Sequence, residues 1–576
     1  MNKLLRFFLI ICITIFSTKT YAQAYFEDQA TLLGVGDMCG TIYLGGGISF
    51  CDFNDDGWDD ITIATQSGDP LKIYKNNGDG TFSLETTLDP SNNTQQKQVV
   101  WVDVDNDGDK DLYIASDASG SRLYRNDITS LVDITTSSGL PTNVLDTYGA
   151  SWGDFNNDSY LDVFLCNRGE FQSRQNYLYK NNGDGTFTDV STTAGISTGS
   201  HLSFCSAFFD YNNDGWQDIY MANDKVNTTN ILYRNNGDET FTDVSAASGT
   251  NIAIDAMSVT IADYNNDTWF DIYVTNGTDG NYFLRNNGNG TFSNIAPNTG
   301  TMFNSIAWGS VFLDAENDGD LDLYVSGMFD GSNPSFASAA FYTNGGSDLF
   351  TIESSAGFVN DARESYSNAI GDTDNDGFPE IVVNNSGDEN IFLWKNETTT
   401  TNNWLKVNLE GVVSNKQGIG AVIELKSGGY SQYRYTVCGE GYLAQNSGSE
   451  FFGIAGNTLI DYVKVTWLGG AQDIFYNVTA NQTMNILEGS SPLSIEEFEE
   501  NNSFTIYPNP ASDDIWINTE IQEDFQYKIY DMKGLLVSKG KIDHTKYINV
   551  SNLSTGYYHL KLISSRGIFN KSIMLK

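Results

Sequence analysis

Apolar residues in this chain gather in short runs and not in helical stripes. Seven four-residue runs recur: ITIA at 61–64, LYIA at 112–115, VFLC at 163–166, IYMA at 219–222, IYVT at 272–275, LYVS at 323–326 and IVVN at 381–384. Their length and β-branched or aromatic content predict buried strands. A segment of small residues precedes them, such as YGAS at 148–151, SFCSA at 203–207 and AMSVTIA at 256–262. Small side chains suit an innermost strand, where neighbouring sheets converge. A third strand follows, as in KIYKN at 72–76, RLYRN at 122–126, YLYKN at 177–181, ILYRN at 231–235 and YFLRN at 282–286. A turn of the NNGDG type then leads to a fourth, such as TFTDV at 186–190, because Asn-Gly and Asp-Gly accept positive φ cheaply. Four strands per unit and seven units predict an all-β, seven-bladed β-propeller.

The last unit stops at IFLWKN, 391–396, with no fourth strand of its own. The segment YFEDQ at 25–29 matches the fourth strands of the other units and is expected to complete it. That ties first strand to last and removes an exposed sheet edge. The alternative, a leader that joins no sheet, leaves the array open.

Between first and second strands lies an acidic nonapeptide, and its polar positions sharpen the picture. The copies are DFNDDGWDD (52–60), DVDNDGDKD (103–111), DFNNDSYLD (154–162), DYNNDGWQD (210–218), DYNNDTWFD (263–271), DAENDGDLD (314–322) and DTDNDGFPE (372–380). Oxygen-bearing side chains recur at positions 1, 3, 5 and 9. These are Asp52, Asn54, Asp56 and Asp60; Asp103, Asp105, Asp107 and Asp111; Asp154, Asn156, Asp158 and Asp162. The later loops give Asp210, Asn212, Asp214 and Asp218; Asp263, Asn265, Asp267 and Asp271; Asp314, Glu316, Asp318 and Asp322; and Asp372, Asp374, Asp376 and Glu380. A hard dication such as Ca²⁺ takes six to eight oxygens, and a tight turn that folds alternate side chains inward supplies them. Position 12, where an EF-hand carries its bidentate Glu, is apolar in every copy (Ile63, Ile114, Leu165, Met221, Val274, Val325 and Val383). A strand and not a helix follows the loop, so the EF-hand is excluded.

These repeats resemble the FG-GAP or VCBS family, whose calcium loops also occur in integrin α-subunit propellers. The resemblance covers about residues 24–397 and implies about seven Ca²⁺ ions bracing the blades. It adds a backbone carbonyl at position 7 to each ligand set, from Trp58, Asp109, Tyr160, Trp216, Trp269, Asp320 and Phe378. Ser159 and Thr268 replace the turn glycine at position 6, and a non-glycine residue is strained in a left-handed turn. Those two sites are expected to be weak.

Charge agrees with a metal-rich extracellular protein. The formal net charge is −43, and residues 1–22 carry Lys3, Arg6 and Lys19 with no acid, so their removal gives −46. Seven Ca²⁺ add 14 and leave −32. Such acidity disfavours nucleic acid and anionic lipid as partners. Lys3 and Arg6 precede FFLIICITIF at 7–16, too short to span a bilayer, and the small-residue rule places cleavage before Gln23. Residues 1–22 therefore read as a signal peptide, with no transmembrane segment in the mature chain. Five cysteines remain (Cys39, Cys51, Cys166, Cys205 and Cys438). Their odd number excludes complete pairing within one chain, and small buried residues are the other reading.

Beyond the repeats, NKQGIGAVIEL (415–425), GEGYLAQNS (439–447), FFGIA (451–455) and VKVTWLGG (463–470) resemble the ASPIC/UnbV domain, expected over 403–489. That domain accompanies similar repeats in the cartilage acidic protein family and its bacterial relatives. A small all-β module docked on the propeller is expected. SIEEFEENN at 494–502 belongs to an acidic linker over 490–502. From 503 to 576 the chain resembles the C-terminal sorting domain of the Bacteroidota type IX secretion system, expected as a β-sandwich. Its opening holds YPNP at 507–510, and 525–576 holds nine Lys or Arg against two Asp, inverting the overall balance.

No H-E-x-x-H helix is present, and His201 stands outside any catalytic motif. The reading is a secreted or surface-attached calcium-binding protein that meets extracellular glycans or proteins, with type IX machinery as export partner. The alternative is a calcium-dependent polysaccharide-acting enzyme that uses acidic residues of the propeller.

Overall fold

The computed structural model describes residues 23–491 and 504–576, apart from 89, 91, 170–172, 330, 347, 359–360, 520–524, 532–535, 543–546 and 565–566. The expected signal peptide and all but two residues of the expected linker lie outside the described residues. The chain divides into two compact units, 1–492 and 493–576.

In the first unit each repeat forms a four-stranded antiparallel sheet. The sheet of residues 203–243 is representative: Ser203–Phe209, Asp218–Asn223, Ile231–Asn235 and Phe241–Asp243 pair in chain order. Its first strand is buried at every residue. The first strands lie side by side from sheet to sheet, and Ser365–Gly371 of the last lies against Ile48–Cys51 of the first. Small residues make this approach possible. A Cβ at Gly149 would come within 2.4 Å of the Phe204 carbonyl oxygen, and Ser151 Oγ meets Ser206 Oγ at 2.6 Å.

Phe26–Asp28 is the outer strand of the last sheet, antiparallel to Phe392–Asn396 with Phe26 opposite Asn396. Phe26 is 1% exposed and packs on Phe341 and Phe358. The outer strand expected at 25–29 against 391–395 is thus present but one residue shorter at each end, and its partners are Trp394, Lys395 and Asn396. Single helical turns after several fourth strands, such as Ser245–Ser248, have no counterpart in the sequence reading. Each closes on a left-handed glycine, Gly249 in this case, which is the usual device for ending a helix.

Residues 404–487 form a three-stranded and a four-stranded sheet around one apolar core. This module lies against the first strands and reaches further than surface docking. Residues 438–447 run into the centre where those strands converge. Trp152 N–H donates to the Cys438 carbonyl at 2.9 Å and Gly441 N–H to that of Val259 at 2.9 Å. Tyr442, fully buried, packs edge-on to Phe204 and tilted against Trp308, and its hydroxyl donates to the Leu44 carbonyl at 2.6 Å. Ala444 and Gln445 pair in parallel with Ile48 and Ser49. Gln98 Nε2 donates to the Ala444 carbonyl at 2.9 Å, and Ile370 N–H to Asn446 Oδ1 at 3.0 Å. One ten-residue segment therefore touches the inner strand of every sheet.

The second unit packs a three-stranded and a four-stranded sheet on a shared core that includes Ile515, Ile529, Leu560 and Ile573. No helix among the described residues is long and apolar enough to cross a membrane.

Deleting residues 23–30 should lower the melting temperature and promote aggregation, because it exposes the edge of Phe392–Asn396. Phe26→Ala alone should cost about 3–5 kcal/mol. Thermal unfolding of both variants checks this, and unchanged melting would show that the strand carries no stability.

Candidate metal centres

Each acidic loop folds around its first aspartate. Asp210 Oδ1 accepts the N–H of Asp214 at 3.1 Å, and its Oδ2 that of Gly215 at 2.7 Å. The same pair binds Asp52, Asp154, Asp263, Asp314 and Asp372. Two consecutive donors on one carboxylate pull the backbone into a tight turn, which brings positions 1, 3 and 5 together. Position 5 then accepts the N–H of position 7, as in Trp216 to Asp214 Oδ1 at 3.0 Å. Side chains at position 7 turn away toward the neighbouring hairpin: Trp216 lies under Gly237 and Trp269 under Gly288. At these tryptophans only the backbone of position 7 is left for an ion, whereas Asp109 keeps its carboxyl beside Asp103, Asp105 and Asp107.

Two positions in the turn take left-handed backbone. Position 6 does so in every loop, with φ of 86° at Gly215 and 78° at both Ser159 and Thr268, so the strain expected at those two is present. Position 4 does so as well, at Asp55, Asn106, Asn157, Asn213, Asn266, Asn317 and Asn375. Asn and Asp tolerate this region best among side-chain-bearing residues. Position 4 also links neighbours: Asn106 Nδ2 donates to the Ser159 carbonyl at 2.8 Å and Asn375 Nδ2 to that of Gly57 at 2.9 Å. Asp55 makes an ion pair with Lys110 of the next loop instead.

Position 9 opens the second strand and faces a different task. Asp218 Oδ2 accepts the Tyr211 N–H at 3.1 Å, while Oδ1 accepts that of Asn235 at 2.7 Å. Asn235 Nδ2 in turn reaches the Phe155 carbonyl of the preceding sheet at 2.7 Å. Asn76, Asn181, Asn286 and Asn396 repeat this bridge to Thr373, Val104, Tyr211 and Ala315. In five of the seven units the asparagine that ends the third strand is therefore a clamp between sheets, which the sequence reading passed over, whereas Asn126 and Asn344 reach carbonyls of their own repeat, Lys110 and Leu321.

Among the described residues, carboxylate oxygens within 4.8 Å of one another occur in two loops: Asp103, Asp105 and Asp111, and Asp372, Asp374 and Glu380. Burial pushes the Asp60 and Asp111 carboxyls up to about 8, and neighbouring loop carboxylates add to it. Asp109 is raised to about 7 by burial and then by Asp107, Asp103 and Asp105. Asn54 Oδ1, Asp103 Oδ1 and Asp374 Oδ1 are buried without a hydrogen-bond partner. An oxygen-rich donor set with unpartnered oxygens and mutual repulsion fits a hard cation. The five cysteines, by contrast, are free and buried, and His201 is engaged with Ser197 Oγ at 2.8 Å.

The module covers this face. Ser447 Oγ donates to Asp59 Oδ1 at 2.8 Å, Asp103 N–H to Gln417 Oε1 at 2.8 Å, and Ser159 Oγ to the Val413 carbonyl. Tyr435 meets Gln217 and packs edge-on against Phe270, Ala455 N–H donates to the Asn317 carbonyl at 2.9 Å, and Lys406 Nζ lies 3.5 Å from Asp372 Oδ2. Every loop is touched.

Family profiles agree with this layout. The FG-GAP-like repeat profile matches 52–114, 103–165, 154–221, 210–274 and 263–325, and the ASPIC and UnbV profile matches 411–493. The profile for a secretion system C-terminal sorting domain matches 505–576. The chain is an FG-GAP repeat protein with an ASPIC/UnbV domain. It is similar to cartilage acidic protein 1 of Xenopus tropicalis, 26% identical over 316 residues (49% of this chain, 48% of the relative). The Homo sapiens protein is also 26% identical, over 317 residues and 47% of its length. The chain thus spans about half the length of the curated relatives it matches. Among solved structures, the extracellular domain of a putative hybrid two component system from B. thetaiotaomicron aligns with a TM-score of 0.40 at 13% identity, over 96% of this chain and 73% of that one. The sorting domain marks this FG-GAP protein for type IX export, to the cell surface or beyond.

Two outcomes are expected. Asn235→Ala should destabilise the FG-GAP region by about 1–3 kcal/mol, since it leaves buried backbone groups unpaired; an unchanged denaturation midpoint would remove the clamp. The second concerns pH with metal chelated. The loop carboxyls are raised above their unfolded value of 3.8, so their contribution is full below that pH and is lost as pH rises through about 6–8. Chelated protein should melt lower at pH 8.5 than at pH 5.5, and the opposite order would overturn the crowding argument.

Proposed function

We propose that this protein is a calcium-braced, seven-bladed β-propeller that binds an extracellular glycan or protein. The calcium reading rests on one observation above all. The carboxylates of each loop crowd at a turn built by the position-1 aspartate, with buried loop oxygens left unpartnered in Asn54 and Asp103. Ca²⁺ is favoured over Mg²⁺ because the donors are oxygens on a flexible turn, with no octahedral cage. The seven-bladed reading draws on the side-by-side inner strands and on Phe26–Asp28 as the outer strand of the last sheet.

For the ligand, the favoured place is a cavity of about 540 Å³ between the first two loops and the ASPIC/UnbV module. Lys110, Lys416, Asp59, Asn408 and Ser449 are among its lining residues, and such a mixed set of amide, hydroxyl and charged groups suits a polyhydroxylated or peptide ligand. An enzyme that gathers its acids at the centre where the inner strands meet is disfavoured, because Tyr442 and Leu443 fill that space, and the form of the alternative left to test is one that uses the loop carboxylates.

Metal analysis of purified protein should find bound calcium, and chelation should lower the melting temperature. Each site contributes about 2.7 kcal/mol at a hundredfold excess of ion over its dissociation constant. Absence of both effects would sink the calcium reading. Glycan arrays and extracellular-protein screens, run with calcium and with chelator, should find calcium-dependent binding without turnover. Hydrolysis of a polysaccharide that depends on a loop carboxylate would favour the enzyme instead.

A further inference from the structure

The seven acidic loops share a pattern but not a charge environment. The residue before the closing asparagine of each third strand is Lys75, Arg125, Lys180, Arg234, Arg285, Thr343 or Lys395. Most turn outward. Arg125 pairs with Asp127, Lys180 with Glu239, and Arg285 lies 3.9 Å from Asp348. Lys75 touches one carboxylate of its own loop, Asp56 at 3.0 Å, and its side chain is 42% exposed.

Lys395 differs in kind. Its side chain is 12% exposed, and Nζ lies 2.9 Å from Asp374 Oδ2, 2.9 Å from Glu380 Oε1 and 3.9 Å from Asp376 Oδ2. Those carboxylates are positions 3, 9 and 5 of the seventh loop. The change at position 9 from Asp to Glu belongs to the same arrangement. In the other six loops one oxygen of this residue takes the N–H of the closing asparagine, at 2.7 Å from Asn235 for example. Glu380 is one methylene longer: its Oε2 takes the Thr373 N–H at 2.6 Å, and Oε1 is delivered to the ammonium. A second ammonium comes from the module. Lys406, 3% exposed, lies 3.5 Å from Asp372 Oδ2 and 2.7 Å from Asn375 Oδ1.

We propose that the Lys395 ammonium occupies the centre that an ion takes in the other loops, so that the seventh loop is closed without metal. This rests on the calcium reading of the other six. An ammonium donates three hydrogen bonds and satisfies converging carboxylates at hydrogen-bond distance. A Ca²⁺ ion needs the same oxygens at 2.3–2.6 Å and is repelled by the lysine. Ion and ammonium are therefore exclusive at this loop. The consequence lies at the closing sheet, which also carries the outer strand Phe26–Asp28. That sheet keeps its loop order when calcium is stripped from the rest.

Terbium-soaked crystals of the full secreted chain test the idea, since anomalous scattering reports each loop separately. Density is expected in the first six loops and none at 372–380. Lys395→Met, which keeps the stem and removes the charge, should gain a seventh peak and one more calcium per chain in solution. Lys395→Arg should gain neither. Density in the seventh loop of the unaltered protein overturns the proposal, whatever the variants do, as does a seventh loop still empty in Lys395→Met. Absence of density from all seven loops overturns the calcium reading and this proposal with it.

Discussion

The structure of the repeat region depends on carboxylates packed closer than their charges favour. In six of the seven loops the turn between first and second strands is made by an aspartate that accepts two consecutive backbone N–H groups, and each loop gathers three to five acids at one edge of its sheet. The same turn starts the second strand, through the position-9 acid that accepts the N–H of the closing asparagine. Repulsion at the loop and order in the sheet are therefore coupled through a few hydrogen bonds. A positive charge at the loop relieves the first and protects the second. Six loops lack one of their own at that centre, and in the seventh Lys395 supplies it.

The ASPIC/UnbV module is built on that arrangement. Its segment 438–447 fills the centre where the inner strands meet, so the small residues that let those strands converge leave space for Tyr442 and Leu443 and not for a channel. Around this plug the module touches the loops through single contacts such as Gln417 to Asp103 and Ala455 to Asn317. The FG-GAP sheets and the module accordingly form one compact unit, while residues 493–576 form another.

Much of this was legible in the residues because it is periodic. Runs of Ile, Val and Tyr every fifty-odd positions mark the second strands, oxygen spacing marks the loops, and YFEDQ matches the fourth strands closely enough to place the pairing with Phe392–Asn396. What escaped is what periodicity hides. The closing asparagine of KIYKN and its relatives reads as a strand end, and only the fold reveals that Asn76 Nδ2 reaches Thr373 in another sheet. Position 4 reads as one more turn residue until φ at Asn213 and its equivalents is seen to be positive. GEGYLAQNS offers no signal for insertion, since a buried segment that touches seven separate strands through different contacts has no local pattern of its own. Lys395 was hidden for a related reason: Lys and Arg recur at that position, and its burial and its contacts with Asp374 and Glu380 are what set it apart from Lys75.

The shared face has a thermodynamic consequence. Contacts from the module fall on the same turns that gather the acids, including the position-1 residue Asp103 through its N–H and Asp372 through its carboxylate. Whatever holds those turns in shape favours docking, and docking favours the shape of the turns, by equal factors. The coupling is uneven from loop to loop. At the seventh loop Lys406 of the module meets Asp372 while Lys395 of the sheet meets Asp374 and Glu380, so fixed charges hold the module there. At the third loop the contact is a hydroxyl on a strained residue, Ser159 with φ of 78°. Loss of charge neutralisation should therefore loosen the module first on the side of Ser159 and Thr268, with the seventh loop acting as the fixed point about which it turns.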